Sequence, residues 1–455
     1  MRRITQFLLP ASPRRFNLCL PAYKETAMPL ARRITFLLTL WLLAFVALAA
    51  DLPHADPESV GLSSERLANI KKVFDAKVQA GDFPGYVALV ARKGKVVYHE
   101  AYGVQNLATK QPMAKDSIFR VYSMTKPIVS VAAMILVEEG KMKLADPVSM
   151  YLPELKDLQV IENLDAKDAS EVKTRPVKNP IRVLDLLIHT SGFSYAFFKT
   201  FPGGGALEQM YIDNKVGEFD VTNEEFVTLI SKMPLRYEPG TTWWYSHSTD
   251  VLGRLVEVVS GKTLGEFITE RVAKPLKMDD TAFTVASDKV GRFAEPFDAD
   301  KEGLILQYTD PTKKTKFEAG GHGLTATVMD YARFAHMLLN KGSLDGAQVL
   351  GKKTVELMTM DHVGAIFDRG PAYLPGQGHG YGLLGAVRTE GPRAPAGLNP
   401  MDGSVGEYYW AGYAGTFFWV DPKEELVAVY MMQSVRQLVP AATSFKTLVE
   451  QAIVE

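Results

Sequence analysis

Cysteine is almost missing from this chain: the single one, Cys19, lies upstream of a second methionine, Met28. Beyond that stretch no thiol remains, which excludes a disulfide, a thiolate-held metal and a cysteine nucleophile. An excess of charge is missing too. The formal net charge is -1 over 455 residues, with no run of like charges, so neither nucleic acid nor an anionic membrane surface finds a complementary partner here. Low-complexity segments and internal repeats are absent. The histidines, His54, His99, His189, His247, His322, His336, His362 and His379, include no His-x-x-x-His pair, which argues against a metal site. No Gly-x-Ser-x-Gly occurs, which removes the strand-to-helix nucleophile elbow as a route to hydrolysis.

One long apolar run is present, near the N-terminus. Arg32 and Arg33 precede the apolar residues 34–46, and Ala47-Leu48-Ala49 follows as a small-x-small site. The run is short for a membrane-spanning helix. Residues 28–50 therefore read as a secretory signal peptide cleaved near Ala49, with an uncleaved anchor as the other reading. Residues 1–27 read as an upstream segment outside the fold, contributed by an over-extended start. Export without disulfides fits a periplasmic or secreted bacterial protein, whose folded domain spans 56–455.

Within that domain the stretch FRVYSMTKPIVSVAAMILVEEG, 119–140, holds Ser123 and Lys126. Residues three apart share one face of a helix. Pro127 belongs in a helix's first turn, which puts Ser123 at the helix start and Gly140 at its end. The residues after Pro127 are apolar nearly all round, the pattern of a buried helix. A serine hydroxyl needs a base to become a nucleophile. A lysine serves when burial or a nearby cation holds its pKa below about 10.4. On this stretch alone a capping serine and a surface lysine remain open as the alternative.

Other segments carry a coarser signal. Residues 63–80 show helical spacing, with Ser63 or Ser64 as cap. GYVALVARKGKVVYHEAYG, 85–103, reads as two strands joined at Lys93-Gly94. Residues 145–310 are loop-rich with short helices, and 291–318 reads as a polar surface loop or hairpin. Helices are expected at 250–260, 263–274, 328–340 and 441–454. Strands return in GYGLLGAV, YYWAGYAGTFFWVDP and ELVAVYMMQ. Strands at both ends with a helical middle predict an α/β (α+β) fold. A central antiparallel sheet from about 56–120 and 320–455 is flanked by helices, with a mainly helical insertion over about 121–319.

Tyr245, in WWYSHSTDVLG, stands just before a helix. A phenol beside an ammonium group is expected to have a lowered pKa and to shuttle protons; a packed aromatic beside Trp243 and Trp244 is the alternative. In WAGYAGTFFWVDP, Gly412, Ala414 and Gly415 allow close approach to an edge strand whose N–H could hold an oxyanion.

Taken in order, Ser123-Met124-Thr125-Lys126, LLIHTSG at 186–192, Tyr245-Ser246-His247, GGHGL at 320–324 and Trp410-Ala411-Gly412 resemble the serine β-lactamase and penicillin-binding-protein superfamily. The class C-like branch with the β-lactamase-related esterases is the nearest part, and the resemblance covers about 56–455. It implies Ser123 as acylated nucleophile, Lys126 and Tyr245 sharing the base work, and backbone N–H groups of Ser123 and Tyr413 as oxyanion donors. His247, Trp410, Ala411 and Gly412 would contact substrate. His247 replaces the family's usual Asn, and Trp410 replaces the Lys that binds a β-lactam carboxylate. Both departures point to an exported carboxylesterase on small esters. The other readings are a D,D-peptidase, a weak β-lactamase, an amide hydrolase or acyl transferase on the same site, and a non-catalytic envelope-binding protein of the same fold. The resemblance implies a small-molecule ester or amide partner, with no cofactor, no metal, no nucleic acid and no membrane contact beyond an uncleaved signal.

Overall fold

The computed structural model describes residues 51–201, 204–218, 220–295, 310–364, 369–391 and 403–455. The readings of residues 1–27 and 28–50, and the centre of the polar 291–318 stretch, lie outside the described residues. Among the described residues no helix is long and apolar enough to cross a membrane.

An eight-stranded sheet forms the centre. Its strands are β1 (Gly85–Arg92), β2 (Lys95–Asn106), β3 (Gln111–Pro112), β4 (His379–Tyr381), β5 (Ala386–Arg388), β6 (Tyr408–Gly412), β7 (Thr416–Asp421) and β8 (Leu426–Met432). The spatial order is β4-β5-β6-β7-β8-β1-β2-β3, and every pairing is antiparallel. The last strand of the chain, β8, thus lies beside the first. This is the expected sheet of N- and C-terminal segments. β1 and β8 are buried along their whole length, so they read as continuous apolar runs rather than alternating ones.

Two segments read as single strands fold back on themselves instead. GYGLLGAV breaks into β4 and β5, with the Gly382 N–H bonded to the Gly385 carbonyl at 2.8 Å. YYWAGYAGTFFWVDP breaks into β6 and β7, where Gly415 turns the chain at φ 87°, a conformation that strongly favours glycine.

Helix α1 (Ser64–Ala80) begins where Ser63 accepts the Arg66 N–H. Its Leu67, Ile70 and Phe74 are buried. Phe74 meets Tyr86, Tyr430 and Phe445 edge-on, at 5.2 to 6.3 Å. Helix α2 runs Thr125–Glu138 and α3 Val183–Leu187; α4 runs Ser248–Ser260, α5 Val328–Leu339 and α6 Leu438–Glu450. α6 starts three residues before the expected Ala441, because Pro440 is accommodated in its first turn. Alternation along β7 sends Trp419 to the face under α6, where it meets Phe445 at 5.5 Å. Phe418 goes to the opposite face and meets Tyr331 of α5 at 4.8 Å. The stretch read as one helix to Pro275 is an α-helical turn, Leu264–Ile268, passing into a π-helical turn, Thr269–Ala273.

Between α6 and the sheet, Lys446 pairs with Glu407 just before β6, and both side chains are fully buried. Removing one partner leaves the other as an uncompensated charge in a low-dielectric interior, a loss of about 3 kcal/mol or more. Urea unfolding of Lys446→Met is expected to show that loss. The double variant Lys446→Met/Glu407→Gln should recover most of it.

Candidate active site

Ser123 is the middle residue of a 3-10 turn, Tyr122–Met124, and α2 begins directly after it at Thr125. It was expected to start the helix but stands two residues ahead of α2, in the preceding turn, and no side chain caps α2. Tyr122 has φ 45°, a region costly for an aromatic residue unless its surroundings impose it. Here they do. The Val121 N–H bonds to the Leu324 carbonyl at 3.1 Å, and the Leu324 N–H bonds to Thr125 Oγ1 at 3.1 Å. The Tyr331 hydroxyl holds the Met124 carbonyl at 2.8 Å. The turn is pinned from both sides, and Ser123 stays half-buried between buried neighbours.

Lys126 lies in the first turn of α2, where every residue through Leu136 is buried. Its Nζ is 3.3 Å from Ser123 Oγ and donates to the Gly321 carbonyl at 2.8 Å. It also sits 4.4 Å from the Tyr245 ring centroid and 5.4 Å from that of Tyr195. Only 2 % of this residue is exposed, so it is not a surface lysine. Burial brings its pKa down to about 7, with the Asp250 carboxylate pulling the other way. A lysine in that range is a free amine for much of the time at neutral pH.

Tyr245 arrives from a distant segment and is held by its neighbours. The Trp244 N–H bonds to the His189 carbonyl at 2.9 Å. Trp244 Nε1 donates to Ser194 Oγ at 3.0 Å, and Ser194 donates to Glu208 at 2.8 Å. Arg236 pairs with Glu208 at 2.9 Å and stacks over Trp244 at 4.2 Å. The Tyr245 phenol oxygen faces the Ser123 hydroxyl and accepts the Trp410 indole N–H at 3.4 Å. The expected lowering of this phenol's pKa does not occur. Burial pushes it well up, outweighing the Ser123 and Trp410 hydrogen bonds. Tyr245 is thus a neutral phenol, and Lys126 is the group of the pair that titrates near neutrality.

β6 supplies the third side. It was expected at a sheet edge but lies inside the sheet. The neighbouring β5 pairs only with Tyr408 and Tyr409, so from Trp410 onward β6 runs past it and forms a local edge. Gly412 presses against the Ser123 turn: a Cβ there would stand 2.2 Å from the Val121 carbonyl oxygen. Tyr413 follows, its ring 6.2 Å from that of Tyr122. Trp410 and Ala411 are buried, and the Trp410 ring packs on Tyr381 at 5.3 Å.

His247 stands behind Lys126. Its Nδ1 is 2.8 Å from Asp250 Oδ2, and its ring is 4.1 Å from that of Tyr195. Ser123, Lys126, Tyr245 and the end of β6 therefore converge on one place, with His247 one layer deeper. Sequence reasoning missed three buried residues here: Asp250, Tyr195 and His189, whose ring packs on Tyr245 at 4.7 Å. Asp250 left a trace as the acidic residue in the first turn of α4, ahead of its buried Val251, Leu252, Leu255 and Val256, and His189 stood within the LLIHTSG stretch.

A half-buried serine beside a buried lysine, under a sheet whose edge reaches the serine's own turn, defines a serine hydrolase of the Ser-x-x-Lys kind. The chain belongs to the beta-lactamase family, whose model matches residues 70–451. It is similar to Protein Rv1367c of Mycobacterium tuberculosis, 33% identical over 377 residues covering 80% of this chain and 88% of the relative. It is also similar to Esterase EstB of Burkholderia gladioli, 29% identical over 80% of this chain and 90% of the relative. Among solved structures, EstCE1, described as a hydrolase with promiscuous acyltransferase activity, superposes with TM-score 0.67 at 25% identity, covering 86% of this chain and 99% of its own. With relatives so named, the chain is a serine hydrolase of the family, in the company of esterases and acyltransferases.

A lysine accepts a proton only as the free amine. With a pKa of about 7, kcat/KM for a neutral ester is expected to rise with pH through that value and level off above it. Initial rates between pH 5 and pH 9 check this; a flat profile would count against Lys126.

Proposed function

We propose that the chain is a carboxylesterase on small, uncharged esters, working through an acyl-enzyme at Ser123. The observation that carries this reading is the buried Lys126 amine 3.3 Å from Ser123 Oγ. In the first half-reaction the free Lys126 amine takes the Ser123 proton as Oγ bonds to the ester carbonyl carbon. The tetrahedral oxyanion rests on the backbone N–H groups of Ser123 and Tyr413. As the C–O bond to the alcohol breaks, the Tyr245 phenol gives its proton to the departing alkoxide and is reprotonated from Lys126. In the second half-reaction water attacks the acyl carbon as the same groups take its proton; they return it to Ser123 Oγ as the acyl C–O bond breaks, releasing a carboxylic acid.

The choice of an uncharged ester rests on what surrounds the serine. Tyr122, Tyr413, Tyr245 and Trp410 are aromatic neighbours, and Trp410 occupies the place of a carboxylate-binding lysine. A β-lactam or a peptide C-terminus would lose its charged anchor there. The relatives named as an esterase and as a hydrolase with acyltransferase activity support the same choice. They also favour a second reading, in which an alcohol replaces water in deacylation and the product is a new ester. Export is a further part of the proposal. It rests on the Arg32-Arg33 pair, the apolar 34–46 run and the Ala47-Leu48-Ala49 site.

Side-by-side assays of p-nitrophenyl butyrate and a chromogenic cephalosporin are expected to show turnover of the ester and little of the cephalosporin. A fluorophosphonate should label Ser123 and leave Ser123→Ala unlabelled. Ester turnover at the buffer rate would overturn the reading. For export, expression in a bacterial host should give a periplasmic or secreted chain whose N-terminus, by mass spectrometry, begins just after Ala49; a cytoplasmic chain retaining residues 28–50 would exclude it.

A further inference from the structure

Behind Lys126 lies a buried polar group that the acyl-transfer steps do not use. Asp250, in the first turn of α4, is completely buried. Its Oδ1 accepts the Gly321 N–H at 2.8 Å, and its Oδ2 is 2.8 Å from His247 Nδ1. His322 Nδ1 lies 3.9 Å from Oδ1. The same Gly321 offers its carbonyl to Lys126 Nζ at 2.8 Å. One glycine therefore joins the carboxylate to the amine, with its N–H towards the anion and its C=O towards the lysine. No larger residue fits in that position. A Cβ on Gly321 would stand 2.8 Å from both Asp250 Oδ2 and the Tyr195 hydroxyl oxygen. The Tyr195 ring then closes the cluster, packed between His247 and Lys126.

We propose that Asp250 is a positioning residue for the acylation step: through Gly321 it sets the carbonyl that holds the Lys126 amine against Ser123, and its charge keeps that buried amine basic enough to take the serine proton. The inference rests on the roles of Ser123 and Lys126 proposed above. A buried amine with no anion near it would lose its proton so readily that it would be a feeble base. A carboxylate in direct contact would hold the ammonium form and block it as a base. An anion one residue removed lies between these extremes.

The surrounding groups are consistent with this. The Asp250 carboxyl is raised by burial, but the His247 hydrogen bond and the proximity of His247, His322 and Lys126 hold it down to about 2. It is an anion throughout the range in which the lysine titrates. Facing this pair are His247 on α4's leading edge, His322 from the 319–324 turn, Tyr195 and His189 from the segment after α3, and Tyr245. Burial lowers His322 to about 4 and His189 well below its usual value, while Tyr195 and Tyr245 are pushed up.

Asp250→Asn keeps the shape and an acceptor for the Gly321 N–H but removes the charge. Its pH profile of kcat/KM on p-nitrophenyl butyrate should have an acid limb displaced by roughly one unit to lower pH, the size expected for losing a nearby opposite charge. The plateau should fall on the order of tenfold as a weaker base acts. His247→Gln should retain an acid limb, which assigns the limb to the lysine rather than to that imidazole. An acid limb that stays in place in folded Asp250→Asn, or that vanishes in His247→Gln, overturns the proposal. Should Asp250→Asn fail to fold by circular dichroism, Asp250→Ser carries the same titration. If neither folds, Asp250 serves the fold and the proposal is again overturned. A wild-type chain without ester turnover or a fluorophosphonate label at Ser123 would instead remove the hydrolase reading itself, a result separable from a wild type that works with an unmoved limb.

Discussion

Burial of the Lys126 amine is the constraint on which the site depends. An ammonium group is among the costliest groups to take out of water, yet this one is surrounded by an apolar helix and two phenol rings. The structure offsets the cost with the Gly321 carbonyl, the negative faces of Tyr245 and Tyr195, and the more distant Asp250 carboxylate. The remaining deficit leaves the amine with a pKa of about 7 rather than near its ordinary value. Acyl-transfer chemistry at neutral pH needs a base of that strength.

Much of the helical region serves to bring Tyr245 to that amine. The chain of contacts from Glu208 through Arg236 and Ser194 to Trp244 fixes the residue immediately before it, and the Trp410 indole meets the phenol from the sheet side. Glu208 is buried and accepts from Ser194, Arg236 and the Gly205 N–H, so the network acts as a rigid strut. In the same way the turn that carries Ser123 is wedged between the Leu324 backbone and the end of β6. The wedge holds Tyr122 in a conformation it would not adopt alone. Rigidity on both sides keeps hydroxyl and amine at hydrogen-bond reach without a substrate to draw them together.

The two residues that depart from the resembling motifs, Trp410 and His247, are both tied into the protein interior. Trp410 is a buried aromatic whose one polar atom is engaged by Tyr245. His247 is engaged by Asp250, one layer behind the lysine. Both side chains direct their polar atoms to other parts of the protein.

Local pattern carried a good part of this protein. The apolar run after Pro127 marked a buried helix, Ser63 marked the start of α1, the Lys93-Gly94 turn marked a hairpin, and strands at both ends implied one sheet; each is a short-range consequence of period, cap or turn. The spacing of Ser123 and Lys126 was equally legible, because one helical turn sets it. Local pattern failed where distant segments meet. That β6 is interior yet locally an edge depends on how short its neighbour is. That Tyr245 is a neutral phenol depends on burial outweighing its hydrogen bonds. Asp250, Gly321, Tyr195 and His189 gather around the lysine from separate parts of the chain. By itself, then, the sequence determined the elements and the reactive pair, since both follow from neighbours within a turn. Only tertiary packing decided the proton affinities and the residues that control them, because desolvation and long-range charge are properties of the assembled interior.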